Sequence, residues 1–454
     1  MNPNRYALAI RRLSAFFAVI LTLAVHASAE WNEKVLYSFQ SVPDGATPVG
    51  AVVFDKQGNL YGTTRDGGSS SCPSVQQCGT VYQLAPPAKS DDPWKETVLY
   101  IFKGNTSKDG ASPYGGLVID ATGNLYGTTG YGGTGNCVVL GILMGCGTVF
   151  EMSPPKQKSG KWTETVLYSF PTPKQGFVPA GDLVIDGAGN LYGATIYGGG
   201  YGTNCGDAYY KYCGAVFELS PPTIKGGKWT EKTLHGFKGD TDGANPNGGL
   251  VLDSSGNVYG TTYAGGNGDW GTAFELRPPT TKSGLWTEKM LHRFQGSQDG
   301  VNPAAGLTFG NNGDLYGTTL TGGPDGGGGT VFRLIPPSKV SGTWKKTILY
   351  GFNGTGGGLD VEAPVIFDSN GNLYGTTLDS GGTYYGTVFR LRPAKGDDWN
   401  FNMLYGFRAP PDGGQPAAGL VFDKAGNLYG TSTQGGSGAG CSFHGCGTVY
   451  EVSP

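Results

Sequence analysis

The sequence predicts an all-β protein: a single seven-bladed β-propeller of four-stranded antiparallel blades, closed by its N-terminal strand. Three observations lead there. First, the heptapeptide Gly-Asn-Leu-Tyr-Gly-Thr-Thr at Gly58–Thr64 returns six more times in close variants, with its Tyr at positions 61, 126, 192, 259, 316, 374 and 429. Steps of 55 to 67 residues are the mark of stacked supersecondary units. Second, each unit holds four strand-like runs, and no stretch after the first 29 residues keeps helical spacing. Third, the units start out of phase. The Trp that opens the fourth run occurs at 31, 94, 162, 229, 286, 344 and 399, and Trp31 precedes any first run. The last unit stops after its third run, Gly447–Val452, so the segment Trp31–Phe39 should complete it and leave no open edge.

The elements follow in chain order. Residues 1–29 read as an export signal, with Arg5, Arg11 and Arg12, an apolar run Leu13–Val25, and the small-residue site Ala27-Ser28-Ala29. Residues 30–454 are then the propeller. In the second unit, Gly116–Asp120 is a short apolar strand and Asp120-Ala-Thr-Gly-Asn124 a turn. Leu125–Thr129 is the second strand of that hairpin. Gly147–Met152 is the third strand, ended by Pro154-Pro155, and Trp162–Phe170 is the fourth. The 82 glycines fall at fixed offsets in the repeat and mark turns, and 12% aromatic residues argue against a disordered chain.

Leu-Tyr-Ser-Phe, Asp-Gly-x-x-Pro, Asp-x-x-Gly-Asn-Leu-Tyr-Gly-Thr-Thr, Gly-Gly and Gly-Thr-Val-Phe, in that order, resemble the bacterial GloVer tandem repeat over residues 31–454. The turn motif also resembles NHL-type β-propeller repeats, over the inner hairpin alone. The GloVer resemblance implies an exported protein with no assigned activity, often bearing a C-terminal surface-sorting tail. No such tail follows Val452-Ser-Pro454, so surface anchoring is not expected.

Removing the first 29 residues leaves 29 basic against 35 acidic side chains, a net charge of −6. That balance disfavours nucleic acid and anionic membrane as partners. No second apolar run is long enough to span a bilayer, and a secreted or periplasmic monomer is expected. Eight Cys fall in four close pairs, Cys72/Cys78, Cys137/Cys146, Cys205/Cys213 and Cys441/Cys446, each between second and third strands. An even count, close spacing and an export signal predict four disulfides. These loops hold 10, 13 and 14 residues in units one to three and 10 in unit seven, against 4, 5 and 3 in units four to six. In a closed ring the long loops are neighbours, which predicts a one-sided wall beside the pore and a ligand site against it.

Candidate ligand-binding residues on that face are Trp270, Tyr131, Tyr197, Tyr263 and His444, with Tyr384, Tyr385 and Phe443 as further aromatic surfaces for sugar rings. The connectors from fourth to first strand carry Asp44, Asp109, Asp242, Asp299, Asp360 and Asp412, each four residues before a Pro, with Gln175 in unit three. Six acids round a pore mouth suit a calcium ion; the competing reading is a turn in which Asp bonds its own backbone. A second series, Asp55, Asp120, Asp186, Asp253, Asp368 and Asp423, sits in the hairpin turns and reads as structural, as do His235 and His292 at the Tyr position of the fourth strand. No catalytic set stands out, and the non-repeat loop acids Asp207, Asp269, Asp325 and Asp379 are the first to test for activity. The expectation is an exported, non-catalytic binding or scaffolding module for glycan or cell-envelope polymer. The alternative is an extracellular polysaccharide hydrolase or lyase, or a lactonase-type enzyme, with a metal in the pore.

Overall fold

A computed structural model describes residues 31–454, apart from 71–77, 90–91, 105–106, 158–159, 200–204, 206–211, 225, 282–283, 340–341, 355–356, 381–383, 409, 439 and 442–443. The predicted export signal lies outside the described residues. Seven four-stranded antiparallel sheets make up the body, and the described residues contain no α-helix. Blade 1 is Val53–Phe54, Leu60–Thr64, Thr80–Ala85 and Lys95–Ile101. Blade 7 takes Val421–Phe422, Leu428–Ser432 and Thr448–Ser453 from the C-terminal end and Asn32–Ser38 from the N-terminal end. Asn32 pairs with Ser453 and Ser38 with Thr448, so the first strand does complete the last sheet.

Each motif residue has a mechanical role. In the hairpin turn of blade 1, Asp55 Oδ1 accepts the backbone N–H of Gln57 and Asn59, while Oδ2 accepts the Asn59 amide and the Tyr61 hydroxyl, at 2.7–3.1 Å. The same net recurs at Asp120, Asp186, Asp253, Asp368 and Asp423. Blade 5 has Gly310 there, and its Asp314 binds Arg333 instead. The second Thr of the heptapeptide pairs across to the third strand, as in Thr64–Thr80 at 2.8 Å. In five blades the first Thr reaches the next blade: Thr63 donates to the Gly115 carbonyl at 2.9 Å, and Thr431 of blade 7 to Gly50 of blade 1 at 3.2 Å.

The repeat Trp packs against the heptapeptide Tyr of the preceding blade. Trp162 lies 5.6 Å from Tyr61, Trp94 6.2 Å from Tyr429, and Trp31 6.3 Å from Tyr374, so the contact runs round the ring and through the closure. Between sheets lie fully buried aromatic cores such as Phe102 on Phe150 and Phe237 on Phe274.

The first strands depart from expectation. They pair regularly over two residues in six blades, and only Phe177–Ile185 of blade 3 is long. The preceding segments crowd one another at the centre. A Cβ on Gly115 would lie 2.2 Å from the Gly181 carbonyl oxygen, and one on Gly248 2.4 Å from the Ala305 backbone. Close approach of neighbouring blades therefore holds these segments in place of ladder pairing.

Candidate functional site

The seven first-strand segments enclose a central channel of about 840 Å³. Much of its lining is small residues, among them Ala51, Gly181, Gly248, Ala305 and Gly419. Two acids break this pattern. Asp182 stands where other blades carry Gly, Ala or Pro, and its Oδ1 accepts the Gly116 N–H of the neighbouring blade at 2.6 Å. Glu362 enters from blade 6. Crowding by protein raises both carboxyl pKa values; the charge of Asp360 adds to it at Glu362.

At one mouth the lining turns polar and aromatic. Arg65, Tyr114, Gln415, Gln434 and His444 meet there. The Arg65 guanidinium grips Asp66 through Nε and Nη2, at 3.1 and 3.0 Å, and its centre lies 5.9 Å from the centre of the Tyr114 ring. Gln434 donates to Gln415 at 2.6 Å. Tyr114 continues into a row of rings, Tyr131, Phe177 and Tyr197, with centroids 6.0–6.2 Å apart.

This mouth belongs to the walled face. Connectors and long loops share it, since Ala46 bridges to Asp66 and Gly110 pairs with Gly132. Disulfides Cys137–Cys146, Cys205–Cys213 and Cys441–Cys446 are formed, and Cys78 is disulfide-bonded. Its expected partner Cys72, together with Asp207 and Phe443, lies outside the described residues. Cys137–Cys146 staples the hairpin Val138–Val139/Ile142–Leu143, whose Leu140 tip is 84% exposed. Such bonds indicate an oxidising compartment, and no helix among the described residues is long and apolar enough to cross a membrane.

Of the expected ligand residues, His444 lines the channel and is exposed. Tyr131 and Tyr197 stand in the row of rings behind Tyr114, half-buried. Tyr263 lies close enough to Glu362 and Asp360 for their charges to raise its pKa further, after burial. Trp270 is not brought to the channel: its ring lies against Gly268 and Gly296 and stays 37% exposed. Two of the loop acids serve local backbone, Asp269 accepting the Gly265 N–H and Asp379 the Ser380 N–H. Sequence reasoning missed Arg65, Tyr114, Asp182 and Glu362. For Asp182 the available signal was an acid at a first-strand position that other units fill with Gly, Ala or Pro; for Glu362 it was an acid where no other unit carries a charge.

The six connector aspartates do not converge, and none lines the channel. Five turn towards the fourth strand of the blade they follow. Asp44 accepts the Tyr37 hydroxyl at 2.6 Å and the Gln40 N–H at 3.1 Å. Asp109 accepts from Tyr100, Asp412 from Tyr405, and Asp299 contacts His292 Nε2 at 2.7 Å. Asp242 lies 3.4 Å from His235 Nε2. Asp360 is a misregister. Its φ of 59° matches Thr47 and Ser112 in the other connectors, and Gly357 takes the aspartate place, because Pro364 sits three residues later than its counterparts.

The sequence pattern of the Gloeobacter/Verrucomicrobia repeat matches residues 22–209 and 200–443. No curated protein matches the chain. Among solved structures, a fungal alcohol oxidase in complex with copper is similar at 14% identity and TM-score 0.51, over 93% of this chain and 77% of that one. A protein of unknown function from Dyadobacter fermentans is similar at 13% identity and TM-score 0.43, over 82% of this chain and 98% of its own. A sialidase from Streptococcus pneumoniae is similar at 12% identity and TM-score 0.43, over 92% and 70%. At these identities the likeness concerns the fold alone.

Proposed function

This chain belongs to the Gloeobacter/Verrucomicrobia repeat family, and we propose that it is an exported, non-catalytic binding propeller. Its ligand is a polyhydroxylated polymer, a glycan or cell-envelope polysaccharide, held at the walled mouth of the channel. One observation carries this reading: Tyr114, Arg65, Gln415 and Gln434 meet at that mouth, beside a row of further rings. Rings offer flat faces to sugar C–H surfaces, while guanidinium and amide groups match hydroxyls in both directions. The disulfides and the pattern of residues 1–29 support export. A screen of residues 31–454 against soluble glycans and envelope polymers tests the reading. Binding is expected for one polymer class, weakened on the order of tenfold in Tyr114→Ala or Arg65→Ala, about 1.4 kcal/mol. Binding to nothing, or binding that ignores both variants, would sink it.

Asp182 and Glu362 favour a second reading, a polysaccharide hydrolase or lyase. Asp182 and Glu362 line one channel, and burial raises both carboxyl pKa values, the property a general acid needs. It predicts turnover of the bound polymer, abolished in Asp182→Asn or Glu362→Gln.

A further inference from the structure

The seams between neighbouring fourth strands repeat one arrangement. A Tyr or His of one blade, with the Asp that follows it, faces the residue two places after the Trp of the next blade. That residue is Glu96 opposite Asp44, Glu164 opposite Asp109 and Glu33 opposite Asp412. At the seam between blades 4 and 5 it is Lys346. Its ammonium, on a side chain 4% exposed, stands 2.9 Å from Asp299 Oδ1. The fold thus places a cation between blades when the opposing residue is Lys.

Between blades 3 and 4 the residue is again Glu, and the ring opposite is imidazole. His235, Asp242 and Glu288 offer ligand atoms that all lie within 4.8 Å of one another. His235 Nε2 is 3.4 Å from Asp242 Oδ1, close to the ligand–ligand edge of about 3.3 Å in a tetrahedral zinc site with bonds of roughly 2.0–2.1 Å. Both His235 Nε2 and Glu288 Oε1 are shielded from solvent, and neither has a hydrogen-bond partner. The charges of Arg293 and Lys238 bear on Glu288, but neither side chain forms an ion pair with it or with Asp242 among the described residues. Lys238 gives its backbone N–H to Asp242 Oδ2 at 2.8 Å, and the Arg293 guanidinium is turned to the Thr241 carbonyl.

We propose that His235, Asp242 and Glu288 form a site for one divalent transition-metal ion, zinc in preference to calcium, which ties blade 3 to blade 4. One imidazole and two carboxylates suit zinc and leave a fourth position for water. Calcium prefers six to eight oxygen ligands, which this seam does not gather. The ion does here what the Lys346 ammonium does at the next seam. This site is independent of the channel and of any polymer bound there.

The test uses tag-free protein, residues 31–454, titrated with zinc chloride and with cobalt chloride. One equivalent of zinc should bind at pH 7.5 and raise the melting temperature. Cobalt should give the visible d–d bands of a low-coordinate site. Glu288→Lys recreates the arrangement of the next seam. It should fold, melt near the zinc-loaded wild type, and bind zinc on the order of 100-fold more weakly. His235→Tyr, which restores the residue found at five of the seven seams, should do the same and also remove the cobalt bands. His444→Ala, elsewhere on the molecule, should leave zinc binding unchanged. Absence of zinc binding at 100 µM, or undiminished binding in both seam variants, overturns the proposal.

Discussion

Raising the pH should loosen the seam that closes the ring, and Glu33 governs the effect. Glu33 lies on the closing strand, with Oε1 shielded and without a hydrogen-bond partner. Its neighbour Asp412 accepts the Tyr405 hydroxyl and the backbone N–H groups of Arg408 and Gly413, at 2.7–2.9 Å. Those three donors occupy the Asp412 carboxylate, while Glu33 Oε1 has no such donor. Burial first, then the charge of Asp412 and a hydrogen bond with it, push the Glu33 pKa from 4.5 to about 8. In the unfolded chain Glu33 loses its proton near 4.5. Below that pH both states hold the proton and the seam has its full strength. Between 4.5 and 8 only the folded state keeps it, so stability falls as pH rises, and the loss is complete above 8. At 1.36 kcal/mol per pH unit over this interval the ceiling is about 5 kcal/mol; water reaching the part-open seam reduces it to about 2 kcal/mol. Urea denaturation of residues 31–454 at pH 4, 6, 7.5 and 9 measures it. Glu33→Gln, a fixed mimic of the protonated acid, should match wild type at pH 4 and exceed it by about 2 kcal/mol at pH 9. Parallel pH curves for the two proteins would refute the reasoning.

Three further expectations compare one blade with another. Tyr82 is fully buried with an unpartnered hydroxyl, where blades 2 to 6 carry Phe; Tyr82→Phe should raise stability by about 1 kcal/mol in urea melts, and any loss counts against it. Thr195 lacks the cross-strand hydroxyl that Thr64 finds in Thr80, because blade 3 carries Ala215 there. Ala215→Thr should add about 1 kcal/mol, read as a higher urea midpoint at unchanged m-value. Trp94→Ala strips the ring contact with Tyr429 between blades 1 and 7 and should cost about 2–3 kcal/mol; a change under about 0.5 kcal/mol would mean that this contact does not carry the closure.

What was legible in the sequence was whatever repeats at fixed spacing within one unit. Asp55, Asn59 and Tyr61 are four and six residues apart and act in one turn, so their shared role could be read directly. Closure was legible for the same reason, since the fourth-strand Trp ran ahead of its unit at Trp31. The Asp360 misreading shows the limit of that method. Spacing to Pro is a proxy for register, and it failed where blade 6 moved its Pro. The channel acids were hidden by composition, because Asp182 is one substitution inside a strand of glycines and apolar residues.

The seams were illegible for a deeper reason. Their partners come from successive units, Asp44 with Glu96 or Asp299 with Lys346, and across the chain ends for Asp412 with Glu33. No local spacing joins them, and each residue alone reads as an ordinary surface charge. Placed side by side, the seams show one electrostatic problem met in different ways. In the Glu33, Glu96 and Glu164 seams burial, then the charge of the facing aspartate, pushes the glutamate pKa up, to about 8, 7 and 7. Lys346 supplies a fixed positive charge at another, and there Asp299 is held low, at about 2, by His292 and Lys346 despite burial. Phe401 removes the charge altogether and stacks on Tyr350 at 4.5 Å where Gly357 replaces the aspartate. If charge at these seams were unimportant, the opposing residue would vary independently of the aspartate. Instead the Phe401 ring stands opposite Gly357, the Lys346 ammonium stands beside the acid it neutralises, and Glu231, whose seam has no aspartate, takes the Tyr168 hydroxyl. The His235 seam differs from the other two-acid seams in setting an imidazole beside the carboxylates, and that is why it is the place in the ring where a bound cation would complete the set.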